Sequence, residues 1–275
     1  MLYFQWCCIL KEYYLRDFGI NIENVPPDEI PILFYEYNLR TFQKIKYNIY
    51  LSKELLNNPK YNNFEKVIKR IIAKAKRGCN INGYLSRRIK NINTPDKIFN
   101  DWGVTHLHLS NELESDGFVR RTKELLFVYR NIYNTNNNLY FLDICEHGDW
   151  YDNKLIEILE NNWPHEIDNY KIKNFNEINF KIEKSDDIKN LRKAGINSFS
   201  STRESYYAPL GGGETMNGKN TMSVYLACKM KKIFNEIEAY LTKKYNVASE
   251  QLKIIELYEK KVKIQVGHAI EIIYF

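Results

Sequence analysis

The sequence predicts an α+β fold, a central antiparallel sheet with flanking helices, and three patterns carry that prediction. Phe64, Val67, Ile68, Ile71, Ile72 and Ala75 recur at i, i+3, i+4, i+7, i+8 and i+11, one stripe of an amphipathic helix. Residues 124–130 and 139–145 are two β-rich runs joined by a polar stretch around residues 134–138, the pattern of a hairpin with a longer loop. Near the C-terminus Val262, Ile264 and Val266, then Ile270, Ile272 and Tyr274, alternate about Gly267-His268, as a tight hairpin or one bent strand. The 275 residues, 44% of them apolar, are enough for one sizeable core or two small ones. Charged residues at 27% and aromatics at 14% exclude a disordered or fibrous chain.

The other elements follow in order. Residues 1–40 read as aromatic-rich helical or extended segments broken by Pro26-Pro27 and Pro31. Residues 41–52 alternate as a strand leading to a helix cap at Ser52. The striped helix comes next, with Gly78 as its C′ stop, and a polar loop runs on to Asp96. Residues 104–109 form a short strand, and Asp152 caps a helix bearing Leu155, Ile156 and Leu159 that ends at Trp163-Pro164. Residues 171–182 alternate weakly, as more strand. A Gly-rich loop at 211–218 precedes a long helix with Leu226, Met230, Ile233, Phe234, Ile237 and Leu241 on one side. Ser249 is expected to cap a further helix carrying Leu252, Ile255 and Leu257. With no repeat or linker to mark a boundary, the chain divides either into a basic, mainly helical region 1–100 and an α+β domain 101–275, or not at all.

No apolar stretch approaches the roughly 20 residues needed to cross a bilayer, so no membrane partner is expected. Met1 to Ile9 is apolar but lacks a basic n-region and runs into Lys11-Glu12, unlike a secretion signal. Five cysteines without a C-x-x-C spacing argue against a disulfide framework or cysteine zinc site, and fit a reducing cytoplasm. The 32 asparagines, with abundant Ile, Lys and Tyr, reflect an AT-rich coding bias, so an isolated Asn carries little functional weight.

Charge is concentrated. Between Arg40 and Lys97 stand 15 Lys or Arg against Glu54, Glu65 and Asp96, a local +12 in a chain of net +6. Such a stretch attracts polyanions with salt-sensitive affinity, and RNA is the partner it favours over a merely solvated face. On the striped helix Lys66, Lys69, Arg70, Lys74 and Arg77 fall off the apolar side, and Arg87 and Arg88 follow in the loop.

Three of the five histidines lie within 42 residues. His106 and His108 are two apart in a strand, so their imidazoles share a face while Leu107 and Leu109 take the other. His147 ends the second run of the hairpin. Neighbouring strands would bring the three rings to one end of the sheet, above the cationic helix. There they serve as acid and base in RNA cleavage with Arg120 or Arg121 stabilising charge, or hold Zn²⁺ with Glu146 or Asp149 assisting; the plain alternative is half-buried strand histidines. Asp143, between apolar neighbours, is a candidate to orient a histidine.

The stretch Arg120-Arg121-Thr122-Lys123-Glu124-Leu-Leu-Phe-Val-Tyr129-Arg130, a turn, then Leu139-Tyr-Phe-Leu-Asp-Ile-Cys-Glu-His147-Gly-Asp-Trp-Tyr151, resembles the terminal hairpin of RelE/HigB-type toxins over about residues 118–153. That resemblance implies a metal-independent endoribonuclease of toxin or phage-defence type, needing no cofactor and compatible with an antitoxin-like or other protein partner. It makes Arg121 and His147 phosphate-contacting or catalytic and Tyr151 a stacking residue. With the histidine pattern, the catalytic set is His106, His108, Arg121 and His147, with no metal. The alternatives are a non-catalytic binder of nucleic acid or acidic protein, and a histidine-ligated metal hydrolase.

A second motif runs from Gly213 as G-x-x-x-x-G-K-N. It differs from a phosphate-binding loop at Asn220, where Ser or Thr is needed to reach Mg²⁺. Gly213, Gly218 and Lys219 are therefore candidates for a simpler anion-binding loop ahead of a helix.

Overall fold

A computed structural model describes residues 1–14, 20, 22–91, 94–132, 136–146, 153–173, 187, 190, 191, 193–203, 205–258 and 260–275. The chain opens with helices α1 (Leu2–Tyr13) and α2 (Ile30–Arg40), then β1 (Asn48–Leu51), α3 (Lys53–Leu56), α4 (Tyr61–Lys76) and α5 (Lys97–Trp102). Strands β2 (Val104–His108), β3 (Glu124–Tyr129) and β4 (Asn138–Glu146) follow, then α6 (Lys154–Asn162) and α7 (Pro164–Ile167). Two short strands, β5 (Ser200–Ser201) and β6 (Tyr206–Tyr207), precede α8 (Thr221–Tyr245) and a last meander of β7 (Leu252–Tyr258), β8 (Lys261–Val266) and β9 (Ala269–Tyr274). This is the expected α+β architecture.

Two compact units result: Tyr37–Thr221, and Met1–Glu36 with Met222–Phe275. A boundary near residue 100 would cut the larger unit, because Phe42, Leu55, Ile68, Ile71 and Tyr84 share one core with Leu126, Val128 and Phe141.

In the larger unit the sheet runs β1-β4-β3-β2. The β2, β3 and β4 pairings are antiparallel, and β1 adds to β4 in parallel from Asn48↔Asn138 to Leu51↔Phe141. Strands β3 and β4 are buried on both faces, which is why their sequences are continuous apolar runs and not alternations. One face carries α4, with Leu107, Leu126, Val128, Leu139 and Phe141 beneath Val67, Ile68, Ile71 and Ala75. Burying such Val and Ile side chains contributes roughly 1.5–3 kcal/mol each. The other face presents Val104, Leu125, Phe127, Tyr129 and Tyr140 to α5, α6 and α7.

Local signals explain the element ends. Ser52 Oγ accepts from Leu55 N at 2.9 Å as the N-cap of α3. Gly78, at φ 75°, follows the C-cap Arg77 of α4. Asp96 Oδ1 accepts from Phe99 N to cap α5, which ends at Gly103 in the left-handed region. Two expectations are corrected. Pro31 sits in the first turn of α2, where its missing N–H costs nothing, so it starts a helix instead of breaking one. The segment after Ser249 is strand β7, not a helix: Leu252 and Ile254 pair with Val266 and Ile264. A register shift between Ile254 and Glu256 then moves the inward phase to Leu257, mimicking helical spacing. The cap at Asp152 and most of the strand expected over 171–182 lie outside the described residues, although Lys171 bridges to Tyr207.

In the smaller unit β7-β8-β9 form a three-stranded antiparallel sheet. Gln5 of α1 closes the free edge of β7, donating to Leu252 O and accepting from Ile254 N, each at 2.8 Å. Trp6 meets Phe234 of α8 at 5.3 Å between ring centroids, and Lys244 and Tyr245 of α8 both hold Glu271 of β9.

Candidate nucleic-acid interface

Helix α4 behaves as its sequence requires. With the stripe buried, Lys66, Lys69, Arg70, Lys76 and Arg77 are exposed along the opposite side. From residue 66 to 77 this row rises roughly 16 Å, the span of about five phosphates of one nucleic-acid strand. Tyr47 N donates to Ala75 O at 3.1 Å, which lays the exposed Lys44 and Lys46 beside the C-terminal end of the helix. Only one cation of the row is paired on the helix: Lys69 meets Glu65 at 2.8 Å with both side chains solvated, a pair that salt and water screen. Lys74 lies 5.5 Å over the Tyr84 ring, partly sunk. Burial pushes the Tyr84 hydroxyl up, and the neighbouring Arg70 guanidinium opposes that shift.

Arg87 does not belong to this surface. Its guanidinium is held by Asp116 at 2.5 Å and by Glu114, and the hydrogen bond from Arg87 lowers the Asp116 carboxyl. Two carboxylates around one cation leave nothing attractive to a phosphate there. Arg88 is exposed.

His106 and His108 share a face, as their parity requires, and their rings meet edge to face at 6.3 Å. His106 is half-buried, 6.1 Å from the Phe127 ring. His108 is 1% exposed, and its Nδ1 accepts from Thr122 N at 3.2 Å. Thr122, which sequence reasoning passed over, also receives Leu109 N on Oγ1 at 2.9 Å and donates to Glu124 O at 2.6 Å. Arg121, one residue before it, is exposed. His147 and Tyr151 lie outside the described residues.

One expectation about these histidines is overturned. They sit on the Val104–Phe127 side of the sheet, whereas α4 covers the Leu107–Leu126 side. The sheet therefore stands between these two imidazoles and the cationic helix. Asp143 does not serve as their orienter. It lies beyond Phe127 from His106 in the strand register, 2% exposed, accepting from Asn58 Nδ2 at 2.6 Å and pairing with Lys154 Nζ at 2.7 Å. At the end of β4, Glu146 pairs with Lys60 at 2.5 Å and Lys123 at 2.7 Å, which pulls its carboxyl down to about 2. Among the described residues no three His, Cys, Asp or Glu side chains gather as a metal-binding group.

The Gly-rich loop is built inward. Gly211 N donates to Asp101 O, Gly213 N to Asn100 O, Glu214 N to Asn197 Oδ1, Thr215 N to Lys219 O, Gly218 N to Thr215 O and Lys219 N to Thr215 Oγ1. Donors engaged in this way cannot cradle an anion, so Gly213, Gly218 and Lys219 form a structural turn. A Cβ at Gly211 would meet Phe99 O at 1.7 Å, so the backbones touch there. Asn220, the residue that departs from the phosphate-loop pattern, is 2% exposed and ties the loop to Asn100 Oδ1 at 3.0 Å and Gly211 O at 2.8 Å.

No family model, curated protein or solved structure matches the chain. Among the described residues no helix is long and apolar enough to cross a membrane.

Proposed function

We propose that the protein binds nucleic acid, RNA foremost, through the solvent face of α4 in a cytoplasmic setting. The observation that carries this reading is the row Lys66, Lys69, Arg70, Lys76 and Arg77, exposed on a helix whose opposite side is fixed in the core. The test is fluorescence anisotropy with a labelled RNA over a salt series. Replacing Lys66, Arg70, Lys76 and Arg77 by Gln lowers affinity for single-stranded RNA at least tenfold and flattens the slope of log K against log salt by roughly 3, about 0.7 for each phosphate contact removed. A slope unchanged by the four substitutions contradicts the proposal.

A second reading is metal-independent endoribonuclease activity of toxin or phage-defence type, with an antitoxin-like partner. The observation favouring it is the half-buried His106 in edge contact with His108, whose ring accepts a hydrogen bond from Thr122 N. It predicts RNA cleavage that persists in EDTA and is lost in His106→Ala. Intact RNA after prolonged incubation removes it.

A further inference from the structure

We infer that the open face of the β7-β8-β9 sheet is a second binding surface, one that takes single-stranded nucleic acid by stacking bases on Tyr258 and Tyr274. This goes beyond the α4 reading and does not depend on it.

The register fixes what this face displays. Val262, Ile264 and Val266 of β8 point inward with Leu252, Ile254 and Leu257 of β7. The alternate positions therefore point away from that core. Tyr258, Lys261 and Tyr274 form one row across the three strands, Glu256, Lys263 and Ile272 the next, and Lys253, Gln265 and Ile270 the third. The apolar members of these rows are open to solvent: Tyr258 at 47%, Tyr274 at 72%, Ile270 at 56% and Ile272 at 50%.

A soluble sheet face with this much exposed aromatic and aliphatic surface is an interaction site, and its charge selects the ligand. Among the described residues of this face Lys253, Lys261 and Lys263 oppose Glu256, and Glu256 pairs with Lys263 at 3.1 Å. The surplus is positive and set among rings, the combination that holds a single strand through base stacking and phosphate contact. Tyr258 and Tyr274 stand on strands either side of Lys261, roughly 10 Å apart at two strand spacings. That leaves two bases to lie on the two rings with their linking phosphate above the lysine. Lys261 Nζ now rests 4.4 Å from the Tyr258 ring centroid. A base arriving on that ring displaces the ammonium toward the phosphate.

The test uses the full chain, fluorescein-labelled U12 RNA and a labelled RNA duplex. The double variant Tyr258→Ala/Tyr274→Ala binds U12 at least tenfold more weakly, with the salt slope unchanged because no cation is removed, and binds duplex as wild type. Tyr258→Phe/Tyr274→Phe, which keeps the rings, retains U12 affinity, and Lys261→Gln lowers the salt slope by about 0.7. Unchanged U12 binding by the alanine double variant, folded by circular dichroism, overturns the proposal. So does sedimentation showing a dimer that Ile272→Lys dissociates while U12 affinity stays constant, since the face would then pair two copies of the chain. The α4 charge variant in the same titrations separates the surfaces: its failure to alter binding removes the α4 reading alone.

Discussion

The two faces of the β1-β4-β3-β2 sheet are built from one set of strands, yet they differ in what they carry to solvent. On one, a single amphipathic helix covers the core and turns its cations outward. On the other, α5, α6 and α7 cover the core, and the polar groups at its margin engage one another: His108 with Thr122, Asp143 with Asn58 and Lys154. Surplus charge is a property of the first face and satisfied charge of the second. Proximity in sequence or in the sheet is therefore a poor guide to shared chemistry, since strand parity alone decides which face a side chain joins.

Substitutions sharpen this contrast, beginning with the largest effect. Ile71→Ala, at a fully buried position on the inner side of α4, is expected to cost about 2–5 kcal/mol in denaturant unfolding. Thr122→Val leaves Leu109 N without its acceptor and costs about 1–3 kcal/mol, with loosened packing at His108 visible in the imidazole NMR resonances. A smaller pH effect comes from Glu146. Its carboxyl, lowered from the ordinary 4.5 to about 2, stabilises the fold fully above about 4.5, and this contribution is lost as pH falls toward 2. Melting temperature followed from pH 6 to pH 2 therefore falls less steeply in Glu146→Gln. Lys66→Gln is expected to change stability by under about 0.5 kcal/mol while weakening RNA binding. A large stability loss there would mean the outward face of α4 is structural, and the contrast would break.

Much of the larger unit was legible in the sequence. The α4 stripe, its Gly78 stop, the Ser52 cap and the hairpin all follow local rules that tertiary packing leaves intact. Parity correctly gave His106 and His108 a common face, but which helix covers that face is a long-range matter that no local period encodes. The β7 bulge disguised a two-residue repeat as a helical one. Discounting asparagines as coding bias hid Asn58, Asn100 and Asn220, whose amides hold acceptors on Asp143, Glu214 and Asn100 in place. The Gly-rich motif misled for a related reason: its spacing fits an anion loop, but the acceptors that occupy its N–H groups come from residues about a hundred positions earlier as well as from the turn itself.

The most direct test of the two-face account is lysine acetylation footprinting, read by mass spectrometry with and without saturating RNA. Protection of Lys66, Lys69 and Lys76, with Lys154 (50% exposed, on the opposite face) reacting equally in both states, is the predicted result. Protection of Lys154 while the α4 lysines stay reactive would contradict it.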